Sequence, residues 1–219
     1  MLIAEELVLA GTDAEGRNLL GSNRTLAVAG ALLTELALTE RVTVDELRRL
    51  RVLDAGSTGD PLLDEALVRF GEVEGKKPKD GLQRVGKHLV EPVLESLSRR
   101  ELVRREPRTL AGLSLGSRWL LVSSPPRDAV LTDLARVVAG AEPDARTGAL
   151  VSLLHAIEVL PKVVSRDLRP GLSNGDVRRR GKEVTAGRWA PEAVAKAVQE
   201  AAAAVAAITA TTAVSGGDG

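Results

Sequence analysis

STGDPLLDEAL, residues 57–67, places Asp60, Asp64 and Glu65 behind a glycine and ahead of an apolar run. Three carboxylates so close together raise the question of acid–base chemistry, but the local pattern is that of a helix start. Asp60 is a good N-cap, because its carboxylate can accept from the unpaired amides of a first turn. Pro61 suits the first helical position, where a missing N–H costs nothing and φ is already set. Asp64 and Glu65 fall in or near the first turn, where the positive end of the helix dipole favours anions. Leu62, Leu63, Ala66, Leu67 and Phe70 recur at helical spacing and give the segment a face to bury. The stretch therefore predicts a helix from Asp60 to about Phe70.

Outward from that helix the chain alternates long helical patterns with two short β signals. Upstream, residues 2–10 read as a short apolar helix, and Thr25 to Thr39 is apolar almost all round, with Glu35 the main exception. A helix apolar on every side belongs at the centre of a domain. RVTVDEL and RRLRVLD alternate like two short strands. Downstream, GEVEGKKPKDG reads as a linker, and residues 81–101 form a helix that Pro92 should kink or split. LVRRE and RWLLVSS flank a Gly-rich middle and predict a β-hairpin. Pro125-Pro126 should end it, with Asp128 helping to start a helix that runs to about Gly140. Residues 144–164 read as the strongest amphipathic helix. An Arg-rich helix follows, then an Ala-rich one opened by Pro191 and running to about Thr212. The expected architecture is mainly α: a single globular helical domain over residues 1–214, a small protruding β-hairpin, and a frayed tail at 215–219.

Composition narrows the function classes. The chain has 219 residues, 44% hydrophobic and 27% charged, enough to bury a core without disulfides. Without cysteine it has no thiolate nucleophile and no Cys-ligated metal site. Lys+Arg and Asp+Glu both total 30, so net charge points to no partner, although arginines cluster at 48–51, 99–108 and 178–182. No apolar run reaches the ~18 residues of a membrane span, and MLIAEELVLAG carries acids where a signal peptide has bases. A cytoplasmic protein with peripheral membrane contact is expected. The Ala-, Arg-, Leu- and Val-rich usage is that of a GC-rich bacterial genome.

The chemical motifs are weak. GLSLG (112–116) and GLSNG (171–175) match G-x-S-x-G, but the first leads into a strand and not a helix. For the second, both histidines, His88 and His155, precede Ser173, the wrong order for an α/β-hydrolase. His155, between Val151 and Val159, reads as a core histidine, and no metal-binding or phosphate-loop motif is present. No cofactor is implied. A helix at 84–100 followed by a hairpin with arginines at its base has the form of a winged helix, the alternative function being DNA binding. Against it, the chain has two Trp, one Phe and no Tyr, and Glu91 and Glu95 on that helix would repel phosphate.

STGDPLLDEAL then combines with other stretches in order: EELVLAG with DAEG after it, AGALLTELALTERV, ESLSRRELV before the hairpin, and DARTGALVSLLHAIEVLPKVV. Together, over about residues 2–212, they resemble the Golgi phosphoprotein three family. The resemblance implies a non-enzymatic helical domain with a hairpin. Eukaryotic members are peripheral adaptors that bind phosphatidylinositol 4-phosphate and hold glycosyltransferase tails. Their pocket uses a Trp in the N-terminal loop, an Arg on the central helix and an Arg pair before the hairpin. Here those positions fall at Leu20 or Gly21, at Ala29, and at Lys87 and Val90, so the pocket is largely not retained and Lys87 is its one surviving cation. Arg17, Arg24 and Arg84 are the nearby candidates to replace the others. The implied partners are an anionic phospholipid or phosphoinositide headgroup, held weakly, and a protein partner or second copy meeting the hairpin at Leu115, Trp119 and Leu120. No nucleic acid is implied.

Overall fold

A computed structural model describes residues 1–110, 113–187 and 192–215. Helix α1 (Ile3–Ala10) leads through a polar loop and a 3₁₀ turn (Gly21–Asn23) into α2 (Arg24–Leu38). Strands β1 (Val42–Val44) and β2 (Leu50–Val52) pair antiparallel, with Val42 opposite Val52. Then come α3 (Pro61–Gly71) and α4 (Pro78–Arg99), followed at once by the longer hairpin of β3 (Val103–Leu110) and β4 (Leu113–Leu121). Helices α5 (Pro125–Val138), α6 (Ala145–Ala156), the single turn α7 (Leu160–Val163), α8 (Asn174–Ala186) and α9 (Glu192–Ser215) complete the chain. The result is the predicted mainly helical globular domain, carrying two small antiparallel hairpins.

Helix α2 is the axis of this domain. Every residue from Leu26 to Ala37 is buried, and α1, α4, α6 and α9 pack around it. Its one acid has a purpose. Glu35 is only 6% exposed and accepts from the Ile3 amide (2.6 Å) and from Arg146 Nη1 (2.7 Å). Arg146 also reaches Glu6 (3.3 Å). Fully buried Glu5 accepts from Ser96 Oγ (2.7 Å) and the Leu2 amide (2.7 Å), with Arg100 Nε 3.4 Å away. These contacts satisfy buried charge and tie the first turn of α1 to α2, α4 and α6, which is the condition for burying it at all. Burial pushes the Glu6 carboxyl above its ordinary pKa, against the opposing charge and hydrogen bond of Arg146.

The opening stretch folds as its chemistry predicts. Asp60 accepts from the Leu62 (2.9 Å) and Leu63 (3.3 Å) amides, and Pro61 is the first residue of α3. Asp64 has a further use that dipole reasoning does not supply. It accepts from Thr58 Oγ1 (2.6 Å), the Thr58 amide (2.6 Å) and Ser57 Oγ (2.8 Å), holding the preceding loop against the helix. Those hydrogen bonds, the Thr58 hydroxyl first, keep its carboxyl below the usual range.

Three boundaries differ from expectation. Pro92 neither splits the 81–101 segment nor ends it, since α4 runs unbroken from Pro78 to Arg99 with Leu89, Val93, Leu94 and Leu97 buried. Tertiary packing outweighs the one backbone bond that the proline removes. Pro125 does not merely stop the hairpin. It is the first residue of α5, where proline is well tolerated, and Asp128 lies in the first turn. The 144–164 segment is two helices rather than one. Helix α6 ends at Ala156, Glu158 takes a left-handed φ of 61°, and α7 restarts at Leu160. Nor is α6 amphipathic: residues 148–154 are all buried, as fits a helix packed on α2, α8 and α9.

Candidate binding site

A cavity of about 550 Å³ lies where four segments meet: the loop after α1 (Thr12, Glu15, Gly16, Arg17, Asn18), the first residue of α2 (Arg24), α4 (Glu91) and strand β4 (Ser117, Arg118, Trp119). Two glycines allow this convergence. Gly86 on α4 faces the start of α2 so closely that a Cβ there would lie 2.3 Å from the Thr25 carbonyl oxygen. Gly16, at a φ of +75°, lets the loop touch β4, and a Cβ there would lie 2.8 Å from the Trp119 carbonyl oxygen. The loop itself is set by Asp13, whose carboxylate accepts from the Glu15 (3.1 Å) and Arg17 (2.7 Å) amides. Arg127 of α5 anchors it from behind, donating from Nε to the Thr12 carbonyl at 2.7 Å.

The arginines of the cavity differ in what they have free. Arg17 is 75% exposed and paired with Asp13 (2.6 Å) and Glu15 (3.1 Å). Arg118 donates to Glu106 across the hairpin at 2.7 Å. Arg24 is half-buried and makes no hydrogen bond or ion pair with another described residue. Burial depresses its pKa, with the charge of Glu91 acting against the shift. Glu91 in turn pairs with Arg105 (3.3 Å), which donates to Ser117 Oγ (2.9 Å) and lies over the Trp119 ring, 5.9 Å from its centroid. Such stacking holds an arginine plane and an indole in register.

The sequence-predicted residues fall into two groups. Arg17, Arg24 and Trp119 come together at this cavity. Lys87 and Arg84 do not line it. Both are exposed on α4, on the face that carries Glu91 one turn beyond Lys87 and two beyond Arg84. Leu120 is half-buried and touches the loop at Gly16, whereas the Leu115 side chain lies outside the described residues. Of the positions where the resemblance places the family's Trp and central Arg, Leu20 and Ala29 are buried here, while Gly21, the other choice for the Trp, is exposed. Sequence reasoning missed Arg118 and Glu15, and read Glu91 only as a repulsive charge. Nothing local signals their meeting, because it depends on the loop crossing to the hairpin.

The remaining motifs have structural uses. Ser173 of GLSNG caps α8: its hydroxyl accepts from the Asp176 amide (3.2 Å) and donates to the Asp176 carboxylate (2.6 Å). The GLSLG side chains lie outside the described residues. His155 is half-buried and not a full core residue. It borders a separate cavity of about 370 Å³ between α6, α8 and α9, where burial lowers its pKa. Among the described residues no cluster of His, Asp or Glu has the form of a metal site. No helix among them is long and apolar enough to cross a membrane.

Fold and cavity together define a mainly helical domain with a hairpin beside a charged recess. Over residues 3–201 the chain matches the family model described as Golgi phosphoprotein 3 (GPP34), and it belongs to that family. No curated protein matches it.

Proposed function

We propose that the chain is a non-enzymatic binding protein that docks at an anionic phospholipid surface, with the cavity around Arg24 receiving one phosphate-bearing headgroup. The observation that carries this reading is Arg24 itself: a half-buried guanidinium, without a hydrogen-bonding partner among the described residues, in a recess shared with Arg17, Arg118 and Trp119. A desolvated cation lacking a partner favours an incoming anion, and a guanidinium offers a phosphate two parallel donors. Membership of a phosphoprotein family of adaptor type supports the same reading. Around the cavity, exposed Lys87 and Arg84 add diffuse attraction, roughly 1 kcal/mol per basic residue near an anionic bilayer.

Most of the attraction is then of a kind that depends on surface charge and is screened by salt. Liposome co-sedimentation at two salt concentrations tests it, with phosphatidylglycerol and phosphatidylinositol 4-phosphate vesicles at matched charge. Binding should be weak and salt-sensitive, with little preference between the two lipids, and Arg24→Gln should reduce it more than Lys87→Ala. Phosphoinositide-selective binding that survives high salt and disappears in Lys87→Ala would refute the reading. So would duplex-DNA binding with a steep salt dependence and no lipid binding, which belongs to the winged-helix alternative.

A further inference from the structure

Glu91 is the least expected group in a recess for anions. It lines the same cavity as Arg24, and one of its oxygens, Oε1, is paired with Arg105 at 3.3 Å. Its other oxygen receives no hydrogen bond from a described residue. A carboxylate has about four acceptor sites, so Glu91 can take another donor without releasing Arg105. The other cavity arginines are already neutralised, Arg17 by Asp13 and Glu15 and Arg118 by Glu106. The recess therefore presents one cation without a hydrogen-bonding partner among the described residues and one partly committed anion, both lining the same cavity. A headgroup with two phosphates would set the second against Glu91, which is a device for rejecting it.

We infer that the cavity selects a phosphate ester carrying a primary ammonium group, the phosphate held by Arg24 and the ammonium by Glu91, as in a phosphoethanolamine headgroup. This rests on the phosphate-binding reading above and adds Glu91 as its specificity-determining residue. The ammonium must carry an N–H to donate to the free Glu91 oxygen, which excludes a quaternary one, and a primary ammonium has the most donors to offer. The shared chemistry has two sources, a lipid headgroup and a free aminoalkyl phosphate.

The test titrates the full chain, followed by NMR, with O-phosphoethanolamine and with ethyl phosphate, which lacks the amine. Wild type should prefer O-phosphoethanolamine by about threefold, the scale of a partly exposed ion pair. Glu91→Gln should abolish the preference, chiefly by tightening ethyl phosphate. Arg105→Gln, which leaves Glu91 in place, should keep it, and Arg24→Gln should lose both ligands. Vesicles identify the source. Stronger sedimentation with phosphatidylglycerol/phosphatidylethanolamine than with phosphatidylglycerol/phosphatidylcholine, at equal phosphatidylglycerol, marks a lipid headgroup. Selectivity confined to the soluble esters marks a free one. Equal affinity for the two esters, still lost in Arg24→Gln, overturns the inference and leaves a plain phosphate site. If neither ester binds wild type, both readings fall.

Discussion

Gly86→Ala is the sharpest test of how the recess is built. In a solvent-exposed helix this change should stabilise, because alanine exceeds glycine in helix propensity by about 1 kcal/mol. Here the added carbon would lie 2.3 Å from the Thr25 carbonyl oxygen and 3.0 Å from the Thr25 carbonyl carbon, against an ordinary contact of 3.4 Å or more. Relief requires α2 and α4 to separate by roughly 1 Å: the Thr25 methyl at 2.9 Å could turn away, but the nearest obstructing atom, the carbonyl oxygen, is backbone, so no rotamer change provides it. Both helices carry continuous buried faces at this point, with Val85 and Leu89 on one and Leu26 and Ala27 on the other. With backbone on the obstructing side, the cost lies in the upper part of the overpacking range, about 2–3 kcal/mol, which outweighs the propensity gain. A net loss of about 1–2 kcal/mol should lower the melting temperature by roughly 2–8 °C for a chain of this size. Circular dichroism melts and urea denaturation measure it, with phosphate binding as a second readout, since Arg24 directly precedes Thr25. A variant as stable as wild type, or more so, would mean that the two helices do not meet as described.

Asp60→Ala should cost about 1 kcal/mol in urea unfolding, through two first-turn amides of α3 left without their acceptor; an unchanged midpoint would remove Asp60 as the cap. The Asp176 carboxyl, held at about 2 first by the Ser173 hydroxyl and then by Arg179, has a folded pKa below the ordinary 3.8. Its contribution to stability is therefore present above pH 3.8 and lost as pH falls toward 2. Side-chain NMR titration should return that low value, and Ser173→Ala should move it up toward the ordinary one; a normal wild-type value would contradict the capping box. Trp119→Ala removes a half-buried ring that Arg105 covers, so liposome sedimentation or self-association should weaken while helical content stays intact. Outright unfolding of that variant would reassign the ring to the core.

What the sequence made legible follows from the range of the interactions involved. The start of α3 is written in neighbouring residues, Asp60 capping and Pro61 opening, and both act as read. Asp64 was only half legible. Its place in the first turn is a matter of spacing, but its bonds to Ser57 and Thr58 require a loop that turns back over the helix. Glu35 stood out as the one acid in an apolar helix, and its reason lies 32 residues upstream at the Ile3 amide and 111 downstream at Arg146. The failures at Pro92 and at 144–164 go in opposite directions. Packing carried α4 through a residue that should interrupt it, while the left-handed Glu158 ended α6 where the apolar pattern continued.

The site shows the same division more strongly. The resemblance directs attention to Lys87 on α4, yet the cavity wall on that helix is Glu91, one turn nearer the hairpin. One turn is enough to exchange a cation for an anion. A pocket assigned by inherited position alone would therefore hold the wrong sign of charge on that wall. Ala29, where the resemblance places an arginine, is buried and offers no side-chain donor, and Arg24, five residues earlier, is the cation of α2. Its surroundings could not be foreseen either, because Glu91 comes to the same cavity only through the close approach at Gly86, and Arg118 only through the contact of Gly16 with β4. The family accounts for the scaffold, while the charges around the cavity are placed by where two glycines let backbone meet backbone. Ligand selectivity here should accordingly follow Arg24 and Glu91, and change with either, while the fold that carries them stays the same.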